Sequence, residues 1–163
     1  MATNRFEQLL RDREWILADG ATGTNYFSMG LQSGDAPELW NVEHPDRVAL
    51  LHQQFIDAGA DILLTNSFGG SAYRLKLHQA EHRVGELNAA AAVIARSCAD
   101  ASDRNVVIAG SMGPTGELLE PVGTLSVQAA ESAFAEQARA LAEGGADVIW
   151  LETMSSKEEL QAA

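Results

Sequence analysis

This sequence predicts an α/β fold built on a parallel sheet, and three observations carry that prediction. Four short apolar runs, at residues 15–19, 61–65, 106–110 and 147–152, lack the alternation of a half-solvated strand; Ile62-Leu63-Leu64 and Val106-Val107-Ile108 are apolar throughout. Amphipathic stretches with apolar residues at helical spacing separate these runs. Ala58-Gly59-Ala60-Asp61 before the second run is echoed by Gly144-Gly145-Ala146-Asp147 before the fourth, as expected where a helix ends on glycine and the chain re-enters a sheet.

Each element has its own signal. A short helix over about residues 3–13 precedes the first strand. A second helix starts near Pro45, whose fixed φ suits a first helical position, carries Val48, Leu51, Phe55 and Ala58 on one stripe, and stops at Gly59. A third carries Val84, Leu87, Ala91, Ile94 and Cys98 at steps of three and four. A fourth carries Val127, Ala130, Phe134, Ala138 and Leu141 and ends at Gly144-Gly145. A last one begins in residues 155–163, with Ser156 as N-cap and Glu158-Glu159 in its first turn. The unit is strand, loop, helix, repeated about four times with right-handed crossovers. Periodicity alone leaves two architectures open: a small open sheet, or half of a (β/α)8 barrel, a fold that typically needs ~250 residues.

Composition narrows the function. A net charge of −12 repels phosphate backbones and anionic lipid surfaces, so neither nucleic acid nor membrane is an expected partner. One cysteine supports neither a disulfide framework nor a multi-cysteine metal site. No apolar run approaches the ~20 residues of a membrane span, and a cytoplasmic location is expected.

The strand-to-helix loops, residues 20–44, 66–79 and 111–125, are long and glycine-rich, whereas the return connections are short. In parallel α/β folds ligands sit where the long loops leave the sheet. Four polar residues fall there: Asp19, Asn66, Ser111 and Glu152. Two carboxylates, an amide and a hydroxyl on one rim suit a zwitterionic or cationic small molecule, although each residue alone is also a common loop cap. Residues 19–24 lack the third glycine of a dinucleotide fingerprint and the Lys-Ser/Thr of a phosphate loop. Trp40 offers an aromatic face for a quaternary cation or for packing its own loop. His78 and His82 have a spacing that permits metal binding on one helix face, without a visible third ligand, and an exposed polar helix end accounts for both. Cys98 reads as a buried thiol on an apolar stripe.

Taken in order, Asp-Gly-Ala-Thr-Gly-Thr at 19–24, Ala-Gly-Ala-Asp at 58–61 running into Leu-Thr-Asn-Ser-Phe-Gly-Gly at 64–70, Gly-Ser-Met-Gly-Pro-Thr-Gly-Glu at 110–117 and Gly-Gly-Ala-Asp-Val-Ile-Trp-Leu-Glu-Thr at 144–153 resemble the homocysteine S-methyltransferase family. The rim segment Gly-Asp-Ala-Pro-Glu-Leu-Trp-Asn, with Arg-Leu-Lys-Leu-His at 74–78, is most similar to its bacterial betaine–homocysteine branch. The resemblance implies a (β/α)8 TIM barrel of which residues 1–163 are the N-terminal half, with four β/α units. It implies homocysteine and a methyl donor such as betaine as partners, and zinc, bound by cysteines of the second half, as the group that activates the thiol. Asp19 and Gly20 would contact the amino-acid end of homocysteine, and Glu152 its ammonium. Gly69 stands where animal betaine enzymes carry an aromatic residue, with Tyr73 nearby, and Cys98 matches no zinc position. The chain alone is therefore expected to lack methyl transfer, and to form a homo-oligomer or pair with a C-terminal half, because a half-barrel leaves strand edges open. Two other readings stand beside this one: a non-catalytic half-barrel that binds a small amino acid or acts in assembly, and an unrelated enzyme using Asp19 and Glu152 as acid and base.

Overall fold

A computed structural model describes residues 4–163. The predicted first helix is α1, Arg5–Asp12, and Thr3 of the expected range lies outside the described residues. The Asn4 side chain caps it by accepting from Phe6 N at 2.9 Å, and Leu9 is the residue it buries.

The sheet is parallel and its strands lie in sequence order: β1 Ile62–Leu64, β2 Val107–Met112, β3 Val148–Leu151. The predicted first strand, residues 15–19, requires correction. It touches the sheet through a single parallel bridge between Ala18 and Ile62. Asp61 Oδ2 accepts from Leu17 N at 3.1 Å beside that bridge. Trp15 and Leu17 are left 66% and 45% exposed, so little burial holds the segment flat. Predicted β2 stops at Gly110; the observed strand runs two residues further and includes Ser111.

Helix α4 (Pro45–Asp57), α6 (Val84–Asp100) and α7 (Val127–Glu143) form where predicted, but the stripes need correction: α4 buries His52 and Ile56 beside Val48 and Leu51 while Ala58 is exposed beyond its end, and Val127 at the start of α7 is 45% exposed. Ser126 caps α7 through Ala129 N, and Ser156 caps the last helix, α8 (Lys157–Ala162), through Glu159 N. All three long helices pack on one face. Ile56, Leu63, Ala95 and Ile108 form one cluster beneath α4 and α6, while Met112, Phe134 and Leu141 form another beneath α6 and α7. Burying side chains of this size contributes about 1.5–3 kcal/mol each. On the opposite face, Ile62, Val107 and Ala109 gather around Leu9 of α1. The expectation of two covered faces holds at β2, buried along its whole length. At β3 burial alternates, and Ile149 is 40% exposed.

The long loops are not irregular, as the sequence suggested. The loop before β1 folds into α2 (Gly23–Ser28), a single 3-10 turn (Pro37–Leu39) and α3 (Trp40–Glu43). The loop after β1 folds into α5 (Ala72–Leu75) and two further 3-10 turns, Lys76–His78 and Glu81–Arg83. His78 and His82 therefore sit on separate turns rather than one helix face, and Gln79 between them takes a left-handed φ of +58°.

The repeated Ala/Gly-Gly-Ala-Asp motif has one structural job at both sites. Gly59 and Gly145 take φ of +104° and +101°, which strongly favour glycine, and end α4 and α7. The aspartate that follows bonds backward. Asp61 takes Leu17 N and the Arg104 guanidinium, at 2.7 Å; Asp147 Oδ2 takes Ile108 N at 2.8 Å and Arg96 Nη1 at 2.9 Å. Arg104 also donates to the carbonyls of Ile56, Gly59 and Ala60, closing the open end of α4.

Candidate functional site

At the opposite end of the sheet, where the chain leaves each strand toward the next helix, a cleft of about 480 Å³ opens. Asp19, Gly20, Asn66, Ser111 and Glu152 all line it. Parallel order brings them together: residues at or just past the carboxyl end of each strand reach the same rim.

The first loop is built around hydroxyls and amides. Ser67 Oγ donates to Ser111 O at 2.7 Å, and Thr65 Oγ1 accepts from Ser111 N at 3.0 Å while lying 2.6 Å from Ser67 Oγ. This ring ties the ends of β1 and β2. Three buried amides hold the backbone that follows: Asn41 Nδ2 on Asn66 O at 2.8 Å, Gln137 Nε2 on Ser67 O at 2.7 Å and Asn88 Nδ2 on Gly70 O at 2.8 Å. Asn66 belongs to the same framework, since its Nδ2 donates to both Pro37 O and Asn41 Oδ1, at 2.7 and 2.9 Å.

The carboxylates are held more loosely. Asp19 Oδ2 accepts from Leu64 N at 2.9 Å. Burial pushes its carboxyl up to about 7; the Leu64 N–H works against this, and the charge of Glu152 adds to it. Glu152 accepts from Ser111 Oγ at 2.6 Å. Just beyond it Thr153 takes a left-handed φ of +57°, turning the chain off the rim. Glu159, buried on α8, accepts from Thr115 N and Thr115 Oγ1 at 2.9 and 2.7 Å, which fixes the loop after β2.

Sequence reasoning missed a third acid. Glu38 is 6% exposed, lines the cleft and accepts from Gly69 N at 2.7 Å. Burial raises its carboxyl above the ordinary range, against its own and the Gly69 N–H groups and the nearby His78 and Arg74. A Cβ on Gly69 would stand 2.8 Å from Glu38 Oε1, so the bare backbone is what admits the acid. The signal available in the sequence was the Gly69-Gly70 pair. Trp40 stands apart from this constellation. It is 5% exposed and packed against Tyr26, with ring centroids 5.4 Å apart, and the Arg47 guanidinium lies 4.9 Å over its ring. The aromatic ring that does line the cleft is Phe68, seated on Gly113.

These residues do not fit a zinc site by themselves. The strand-end acids supply only oxygen donors, and among the described residues no three His, Cys, Asp or Glu side chains are grouped to hold a metal. Cys98 lies on α6 within the Ile56 cluster, its Sγ 3.7 Å from Ala49 O, and burial raises its thiol. No helix among the described residues is long and apolar enough to cross a membrane.

Fold and cleft together define a parallel α/β protein with an acid-lined cleft at the carboxyl ends of its strands. The chain belongs to the homocysteine S-methyltransferase family, whose model matches residues 16–163. It is 32% identical over 157 residues to a methionine synthase of Mycobacterium tuberculosis and 31% to that of Mycobacterium leprae, covering 91% of this chain and 13% of each relative. Among solved structures it resembles the homocysteine methyltransferase MmuM from Escherichia coli in its oxidized form, with a TM-score of 0.83 and 25% identity over 98% of this chain and 60% of that one. The metallated form gives 0.82 and 24% over the same shares. The chain thus spans only part of each relative's length.

Proposed function

We propose that residues 1–163 form the N-terminal half of a homocysteine-binding (β/α)8 barrel, and that this half holds the amino-acid end of homocysteine. The observation that carries the reading is the meeting of Asp19 and Glu152 at the carboxyl ends of a parallel sheet. Glu152, held by Ser111, accepts from the substrate ammonium. Asp19 and the N–H groups of the Gly20 turn orient the rest of the amino-acid end, and Asn66 keeps the loop between them in place. Sequential strand order supports the half-barrel, since an open doubly wound sheet reverses its order at the ligand site.

The methyl donor in this reading is betaine or a similar onium compound. Zinc in the whole enzyme supplies a thiolate from the homocysteine thiol, and its cysteine ligands belong to the other half of the barrel. The 163 residues alone therefore bind but do not transfer, work in the cytoplasm, and pair with a second half or a second copy. Family membership favours this reading over a non-catalytic half-barrel.

Titration calorimetry of the chain with homocysteine tests it. Saturable one-to-one binding that Glu152→Gln weakens is expected, together with no methyl transfer from betaine when zinc is added. Absence of homocysteine binding by a folded chain would overturn the site, and turnover would overturn the division of labour between halves.

A further inference from the structure

Two basic side chains line the cleft, Arg74 from α5 and His78 from the turn that follows. Arg74 bridges two loops: a Cβ on Gly116, beyond β2, would stand 3.1 Å from Arg74 Nη1, and Gly116 has a φ of +83°. The guanidinium thus rests over bare backbone, beside the cleft.

What distinguishes Arg74 is that its guanidinium has neither a counter-ion nor an aromatic ring as partner. The other half-buried arginines are each engaged: Arg47 over Trp40, Arg83 with Glu86 at 2.7 Å, Arg96 with Asp147 at 2.9 Å and Arg104 with Asp61 at 2.7 Å. Among the described residues no carboxylate lies within salt-bridge distance of Arg74, and its one side-chain partner is Ser71 Oγ, reached through its backbone N–H at 3.4 Å. Its acidic neighbour Glu38 is committed to Gly69 N, and burial favours the neutral form of that acid. A half-buried guanidinium without an anion is unfavourable, and this protein has a net charge of −12.

We infer that Arg74, with His78 beside it, is the carboxylate-recognition element of the cleft that Asp19 and Glu152 also line. The planar guanidinium fork matches a carboxylate. With acids and a guanidinium on its walls, the cleft selects ligands that carry an ammonium or onium group and a carboxylate. The inference rests on the proposed function and deepens it: the carboxylate belongs either to homocysteine or to a zwitterionic methyl donor.

Three probes on the full chain separate these sources: homocysteine, glycine betaine, and choline, which keeps the trimethylammonium group and lacks the carboxylate. Arg74→Gln is expected to weaken homocysteine or betaine by about tenfold or more, with choline unchanged and Arg74→Lys restoring part of the loss. The ligand that responds identifies the source of the carboxylate. Equal weakening of choline, or no change for any probe that binds, would overturn the assignment. If Glu152→Gln still weakens homocysteine while Arg74→Gln does not affect either acid, the Arg74 inference fails and the proposed function stands. If homocysteine does not bind at all, the proposed function fails first.

Discussion

The two ends of this sheet carry the same chemical group in opposite conditions. At the end where strands begin, Asp61 and Asp147 each hold an arginine and a backbone N–H of the preceding strand segment. At the end where strands finish, Asp19 and Glu152 each have one hydrogen bond and face a cleft. A carboxylate saturated by its own chain stabilises the fold and offers nothing to a ligand; one left with open lone pairs costs stability and provides recognition. Conversely Arg104 is fully engaged at the first end, and Arg74 has no carboxylate partner at the second. On the proposed function, the first end is architecture and the second is chemistry.

The sharpest way to break it is Arg104→Ala. This removes the nearest cation of a buried acid and the donor to one carbonyl of α4 and two of the turn after it, so a loss of about 3–5 kcal/mol in urea unfolding is expected, with homocysteine affinity unchanged in the fraction that remains folded. Glu152→Gln should do the reverse: affinity for homocysteine falls roughly ten- to a hundredfold by calorimetry while the unfolding midpoint barely moves.

Asp19 distinguishes the ends by pH. The unfolded carboxyl ionises near 3.8 and the folded one near 7, so between these values the folded state binds more protons and stability falls as pH rises. Only the ionised form attracts an ammonium, so affinity for homocysteine should rise by up to about tenfold from pH 6 to pH 8. Asp19→Asn should flatten both profiles; unaltered profiles would show that this acid does not titrate there. The smallest effect belongs to Gly59→Ala, at a left-handed position with open space around it: about 1 kcal/mol of stability by denaturation, and no change in ligand affinity.

Much of this was legible in the sequence, for local reasons. The stripes and caps of α4, α6, α7 and α8 follow from spacing within a few residues, and Asp19, Ser111 and Glu152 reach the rim because parallel strands deliver their ends to one side. What was not legible depends on long-range contacts. Residues 15–19 read as a strand, yet they meet the sheet only where Ala18 bridges Ile62, 44 positions away. Glu38 becomes a buried acid only because Gly69, 31 positions on, brings a bare N–H to it. Trp40 reads as a rim aromatic until Tyr26 and Arg47 are seen to cover it. Arg74 looks like any other surface cation until its neighbours are known to be committed elsewhere.

The backward reach of the two aspartates also sets an order of assembly. Asp61 contacts a segment 44 residues earlier and Asp147 one 39 residues earlier, and each contact is with a segment already synthesised. Each of these two contacts can therefore form as its aspartate leaves the ribosome, with the new strand finding its register on one already made.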